Sequence, residues 1–345
     1  MIERAKMKPS IFTQSGCSVK AAGVHVMIMT KLVKSLFHTI VTLGAVSPAL
    51  AQAPDPCRAG GFEVKTFDSQ LGGSGKAFDD AGSYRPGYHW YRWNWFNVTP
   101  KKHLSRMHSD GSLSAQGGFD GALVSAARSP EPPGFVGTAF GGGACVKIVL
   151  RFSPLRIAPS EGHPSFWAMS KEHLDGSGDD RWPGKSADFT HFAEWDILEY
   201  YKAAPPGFLS SWIDWFGPYI REGEVKFEGQ TCRRPFCKRA ASFVPVPGAF
   251  PGSTNWDEWQ TVTGVWTPAT AVRPGCIQTF LNDIPIAPRQ CWKSLAAPRE
   301  RMEEYLDFSV IDRHHMTLVI SSGRLPIFVR SVEVYQESAR DNLAN

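Results

Sequence analysis

His191-Phe192-Ala193-Glu194-Trp195-Asp196-Ile197-Leu198-Glu199-Tyr200-Tyr201 sets three carboxylates within six residues of an otherwise aromatic and aliphatic stretch. A run this apolar reads as a core strand, and an ionised carboxylate buried in one costs several kcal/mol unless it is paired, hydrogen-bonded or protonated. Side chains on a regular strand alternate with period 2, so Glu194 and Asp196 share a face while Glu199, five positions after Glu194, takes the other. One β-bulge between Asp196 and Glu199 restores the parity, and bulges are favoured beside active sites because they re-aim a side chain. The spacing therefore predicts a bulged strand with Glu194, Asp196 and Glu199 on one face. Without the bulge, Glu199 points away and the acids are solvated charges at a strand end. Phe192, Trp195, Ile197, Leu198, Tyr200 and Tyr201 argue against a hydrophilic loop.

The chemistry that needs such an arrangement is specific. Retaining hydrolysis of a glycosidic bond requires two carboxyl groups about 5 to 5.5 Å apart, one ionised and one protonated. Other catalytic patterns are missing: there is no H-x-x-x-H or H-E-x-x-H among the ten histidines and no G-x-S-x-G. The histidines, including the adjacent pair His314 and His315, read as structural or solvent-facing.

Outward from the acidic run, Gly and Pro punctuate the chain, and short apolar or alternating runs recur at Ala122 to Ala126, Val146 to Phe152, Thr261 to Trp266, Ile277 to Leu281, Met316 to Ile320 and Phe328 to Tyr335. This is the pattern of many strands joined by turns. Tyr88 to Phe96 also reads as a strand, with His89, Tyr91, Trp93 and Trp95 on one face and aromatics on the other as well. Ala297 to Leu306, with Arg299, Glu300, Arg301, Glu303 and Glu304, reads as a short solvated helix.

The first 51 residues are set apart from this pattern. Lys31 and Lys34 precede an apolar run from Leu36 to Val46 and a small-x-small site at Ala49-Leu50-Ala51, the pattern of a secretory signal peptide. The run is shorter than the roughly 20 residues of a spanning helix. Residues upstream of it read as an extended n-region or a mis-assigned start, with Met27 or Met29 as the initiator. The chain is then expected to consist of a leader, 1 to 51, and one domain, 52 to 345, secreted or periplasmic and off the membrane once cleaved. Six of the basic residues and Glu3 fall in the leader, so 37 basic and 33 acidic residues become 31 and 32 in the mature chain. That near-neutral balance excludes the basic footprint of a nucleic-acid binder.

Six cysteines remain after Cys17, and export makes disulfides the default. Cys232 with Cys237 and Cys276 with Cys291 are plausible local pairs, leaving Cys57 with Cys145, among fifteen possible connectivities. Zinc at Cys232 and Cys237 is disfavoured because no second Cys/His pair sits at finger spacing.

The acidic run resembles E-[I/L]-D-x-x-E, the bulged motif of glycoside hydrolase family 16, the laminarinase, lichenase, agarase and carrageenase group. Asp110-Gly111-Ser112-Leu113 looks like the family's D-G-x-L, and Gly162-His163-Pro164-Ser165-Phe166-Trp167-Ala168-Met169 looks like G-x-W-P-A-F-W-L-L. Trp259-Gln260-Thr261-Val262-Thr263-Gly264-Val265-Trp266-Thr267-Pro268 is similar to F-H-T-Y-A-V-E-W-T-P. Phe280-Leu281-Asn282-Asp283 is similar to Y-V-D-G, and Phe328 to Gln336 to the last strand, D-Y-V-R-V-Y-Q. These segments keep the family's order over residues 62 to 337. Trp195 replaces a small aliphatic residue, and Gln260 stands where many relatives carry His.

The resemblance implies an all-β jelly-roll β-sandwich of two curved antiparallel sheets with a concave substrate cleft. It implies a retaining endo-acting hydrolase of β-linked polysaccharide, β-1,3- or β-1,3/1,4-glucan first. Glu194 would be the nucleophile, Asp196 its hydrogen-bonded neighbour and Glu199 the general acid and base. Trp167 is placed on the strand beside the catalytic one, as a platform for a pyranose ring; Trp93 and Trp95 are further candidates for substrate. Trp212 and Trp215 could wall the cleft or cap the core. No organic cofactor is required and no metal-ligand cluster stands out, although relatives hold a structural calcium. A monomer is expected. A transglycosylase would use the same acids, and a non-catalytic glycan-binding sandwich would keep the aromatics.

Overall fold

The computed structural model divides the chain into Met1–Gln52 and Ala53–Asn345. It describes residues 54–71, 76–131, 133–153, 163–176, 189–201, 207–218, 223–227, 230–233, 237–245, 254–286, 288–293 and 308–344. For 201, 207–208, 218, 225–227, 230–233 and 237–245 the backbone alone is described. The leader expected at residues 1 to 51, the helix expected at Ala297 to Leu306 and the side chains of Cys232 and Cys237 lie outside the described residues.

In chain order the strands begin with β1 (Val64–Gln70), β2 (Tyr91–Arg92), β3 (Ser105–Met107), β4 (Leu113–Ala115), β5 (Leu123–Val124), β6 (Ala126–Ser129), β7 (Gly134–Ala139) and β8 (Ala144–Arg151). They continue with β9 (Ser165–Ser170), β10 (Phe189–Tyr201), β11 (Gly207–Pro218), β12 (Glu224–Phe227), β13 (Gln230–Arg233) and β14 (Cys237–Pro245). The last are β15 (Gln260–Thr267), β16 (Gly275–Leu281), β17 (Ile284–Pro285), β18 (Gln290–Trp292), β19 (Met316–Ser321), β20 (Ile327–Gln336) and β21 (Leu343–Ala344). The described α-helices are α1 (Pro56–Ala59) and α2 (Lys171–Asp175). The six apolar runs of the sequence all fall on strands.

The architecture is the expected all-β jelly-roll sandwich of antiparallel sheets. One large sheet runs β17-β16-β15-β8-β20-β4-β3, with β1 beside β20 and β18 beside β16; the second runs β14-β11-β10-β9-β19-β5-β2, and β12-β13 and β21-β7-β6 form two small sheets. Alternation decides what each buries. On β8, Val146, Ile148 and Leu150 face inward while Lys147 and Arg151 stay partly exposed, and on β20 Val332 and Val334 join the same core. From the opposite sheet Ala193, Trp195, Ile197, Leu198 and Tyr200 of β10 pack into that core. The Trp195 indole lies 6.4 Å from that of Trp266. It is accommodated because β15 presents Gly264, where a Cβ would sit 2.7 Å from Trp195 Cζ2 and 2.9 Å from Ile197 Cγ2.

A second apolar cluster covers the other face of the seven-stranded sheet, built from Tyr91, Val124, Trp167, Met169, Phe192 and Val319 with Trp93 and Trp95. Here the sequence reading needs correction. Tyr88 to Phe96 is not a continuous strand: β2 spans two residues, and the chain then turns through Trp95–Asn97 with Phe96 and Asn97 in the left-handed region (φ 54° and 57°). Asn94 pins this turn by bonding both the carbonyl and the N–H of Arg128. Arg92 is buried and donates to Asp80 and Ser105, which holds the start of the turn. Two cross-links are formed as expected, Cys57 to Cys145 and Cys276 to Cys291. Asp55 caps α1 through the Cys57 N–H and pairs with Lys147, fastening the N-terminal turn to β8.

Candidate active site

β10 carries the acidic run, and its register against both neighbours resolves the parity question. Against β11, Glu194 is opposite Ile213, Asp196 opposite Ser211 and Glu199 opposite Leu209, with an irregularity between Asp196 and Glu199. Against β9, the same three acids face Met169, Trp167 and Ser165, with the shift between Asp196 and Leu198. The partners recur at every second position on each neighbouring strand, so all three carboxylates share one face. The extra residue lies in Ile197-Leu198, both fully buried in the inter-sheet core. Two consecutive apolar side chains enter the core, and that is what turns Glu199 back to the face of Glu194.

Each acid has a partner on that face. Asp196, 1% exposed, accepts a 2.7 Å hydrogen bond from Ser211 Oγ. Glu194 Oε2 accepts from Trp215 Nε1 at 3.3 Å. Glu199 Oε1 lies 3.0 Å from His163 Nε2. Glu194 and Glu199 flank the buried Asp196, so a carboxyl group taken out of water between two further acids is built into the strand.

The tryptophans divide differently from expectation. Trp167 is opposite Asp196 in the register, on the acidic face as expected; its indole N–H donates to Ser321 Oγ at 3.0 Å and 8% of the residue is exposed. Trp93 and Trp95, expected to meet substrate, are 0% and 1% exposed. Trp95 donates to the Ala126 carbonyl, and the Trp93 ring is covered by Phe119 at 4.8 Å and Phe96 at 5.8 Å. The left-handed turn at Phe96 folds these indoles into the second apolar cluster, so the rings it leaves outside are Phe96 and Phe119, 46% and 39% exposed. Trp212 belongs to the inter-sheet core against Trp292, whereas Trp215, three residues on, stacks on Phe192 and reaches Glu194. Phe96, His173, Phe192 and Trp215 form a row of ring contacts leading to the acids.

His163 was missed in the sequence because a single histidine before proline has no periodic signature. His191 binds Asp214 and His315 binds Glu172, both as structural pairs. Among the described residues no group of three or more His, Cys, Asp and Glu is placed to hold a metal ion.

No protein-family model and no curated protein matches the chain. Among solved structures it is similar to the endo-1,3-beta-glucanase from Streptomyces sioyaensis, at 13% identity over 82% of this chain and 97% of that chain with a TM-score of 0.38. It is also similar to LamA from Z. galactanivorans in complex with laminaritriose and laminaritetraose, at 14% identity over 80% and 100% with a TM-score of 0.37. An alginate lyase from a Chlorella virus matches at 12% identity over 67% and 88% with a TM-score of 0.33. Similarity at this level decides neither family nor activity, and the functional reading stands on the site itself.

Proposed function

We propose that the mature chain is an exported, endo-acting retaining glycosidase of β-linked polysaccharide, β-1,3- or β-1,3/1,4-glucan first, and a divergent member of glycoside hydrolase family 16. The observation that carries this reading is the bulge at Ile197-Leu198, which brings Glu194, Asp196 and Glu199 to one face of an otherwise apolar strand. An arrangement that takes Asp196 out of water between two more acids is costly and serves no packing purpose.

In this mechanism the Glu194 carboxylate attacks the anomeric carbon while Glu199 gives its proton to the departing glycosidic oxygen. The glycosyl ester on Glu194 is then cleaved by water, from which Glu199, now a carboxylate, takes the proton. Trp215 and the Asp196–Ser211 pair fix the nucleophile's surroundings. Trp167 and the exposed Phe119 and Phe96 offer apolar surface for pyranose faces.

The departures from the family motif also support the reading. The motif has a small aliphatic residue at 195 and Val at 264; here Trp195 meets Gly264 across the two sheets, so the volumes are exchanged within one contact.

The test is a polysaccharide panel with product linkage and anomer analysis. Glu194→Gln should abolish turnover. Glu199→Ala should lower polysaccharide hydrolysis by about 10²- to 10⁴-fold, yet still form the intermediate from an activated aryl glycoside and yield a β-glycosyl azide with azide. Full activity in either variant, or an inverted product, overturns the mechanism.

A further inference from the structure

The partly buried pair of His163 and Glu199 is formed by a segment constrained from three sides. Pro164 confines His163 to extended backbone. The Pro164 carbonyl accepts the N–H of Tyr200, the residue after Glu199, at 2.9 Å. The His163 carbonyl accepts from Ser165 Oγ at 3.2 Å, and Ser165 is itself the β9 partner of Glu199. The imidazole is thus held against Glu199 by the same strand pairing that holds the carboxylate, with Nε2 3.0 Å from Oε1.

We propose that His163 is a positioning residue for Glu199, keeping its carboxyl in one orientation through both the acid and the base half of the reaction. The inference rests on the glycosidase reading above and deepens it. An imidazole nitrogen can accept a hydrogen bond from a carboxyl O–H or donate its N–H to a carboxylate, according to tautomer. The contact therefore survives when Glu199 loses its proton to the leaving group and when it regains one from water. The indole at this position in the G-x-W-P motif could only donate. Among the described residues, Glu194 and Asp196 of β10 share this face and His173 stacks on Phe192 there; β9 contributes Ser165, Trp167 and Met169, and β11 contributes Leu209, Ser211 and Ile213.

The experiment compares wild type, His163→Leu, His163→Gln and Glu199→Ala on laminarin and on a dinitrophenyl β-laminaribioside, whose leaving group needs no proton. Expected is a loss of about tenfold or more in kcat/KM on laminarin for His163→Leu, with kcat/KM on the aryl glycoside, which reports only the step that needs no acid, nearly unaffected, the same selectivity as Glu199→Ala in milder form. His163→Gln, which can accept or donate through its amide, should recover most of the laminarin rate. Equal losses in kcat/KM on both substrates, or no loss on laminarin, overturn the role of His163. Wild type that hydrolyses neither substrate, nor any polysaccharide of the panel, overturns the glycosidase reading and the positioning role with it.

Discussion

Asp312 shows how a single buried acid sets a pH dependence apart from the site. Its carboxylate accepts the indole N–H groups of Trp266 and Trp292 and the backbone N–H of Ala269. Burial nevertheless dominates and pushes its pKa up to about 6 from 3.8, against those three hydrogen bonds and with help from Asp214. A carboxyl whose folded pKa is raised contributes stability that is complete below pH 3.8 and lost as pH rises through about 6. The change is about 3 kcal/mol at 1.36 kcal/mol per unit. Asp312→Ala should be destabilised throughout, by about 1 to 3 kcal/mol for each orphaned donor. The gap between wild type and variant in urea unfolding should narrow by about 2 kcal/mol between pH 4 and pH 6.5. A constant gap would contradict the assignment.

At the scale of elements, the bulge makes a sharper demand. Deleting Leu198 turns E-x-D-x-x-E into a period-2 E-x-D-x-E, which keeps the acids on one face while removing one core side chain, at about 2 to 5 kcal/mol. Inserting Ala after Ile197 gives E-x-D-x-x-x-E, which an unbulged strand again displays on one face but with Glu199 one pleat repeat, about 7 Å, further from the other two acids, too far for the retaining geometry. The deletion should lower stability but retain hydrolysis, and the insertion should abolish it; activity measured on both at a temperature where circular dichroism shows them folded decides the matter. This parity was legible in the sequence because five-residue spacing on an apolar strand admits few solutions. So were the six runs of alternating or continuous apolar residues. Tyr88 to Phe96 was misread because aromatics on both faces fit a strand and a turn equally, and the left-handed Phe96 leaves no compositional mark. Trp212 and Trp215 could not be told apart without the strand's orientation. His163 was silent because its role comes from strand pairing rather than from neighbours in sequence.

For the whole molecule, both described cross-links fasten the nine-stranded sheet: Cys57 to Cys145 ties the N-terminal turn to β8, and Cys276 to Cys291 ties β16 to β18. Their sequence separations are 88 and 15 residues, for which the chain-entropy account gives about 4.5 and about 3 kcal/mol. Paired Cys→Ser replacement should therefore lower the urea-unfolding free energy more for Cys57 and Cys145 than for Cys276 and Cys291, and the reverse order would contradict it. The contact between Trp195 and Gly264 bears on how such a chain can change over generations. A side chain added at 264 collides with the indole, and a small residue at 195 opposite glycine leaves a hole, so either step alone passes through a weakened protein. The two positions must therefore change together, because the packing between the sheets penalises either change made alone.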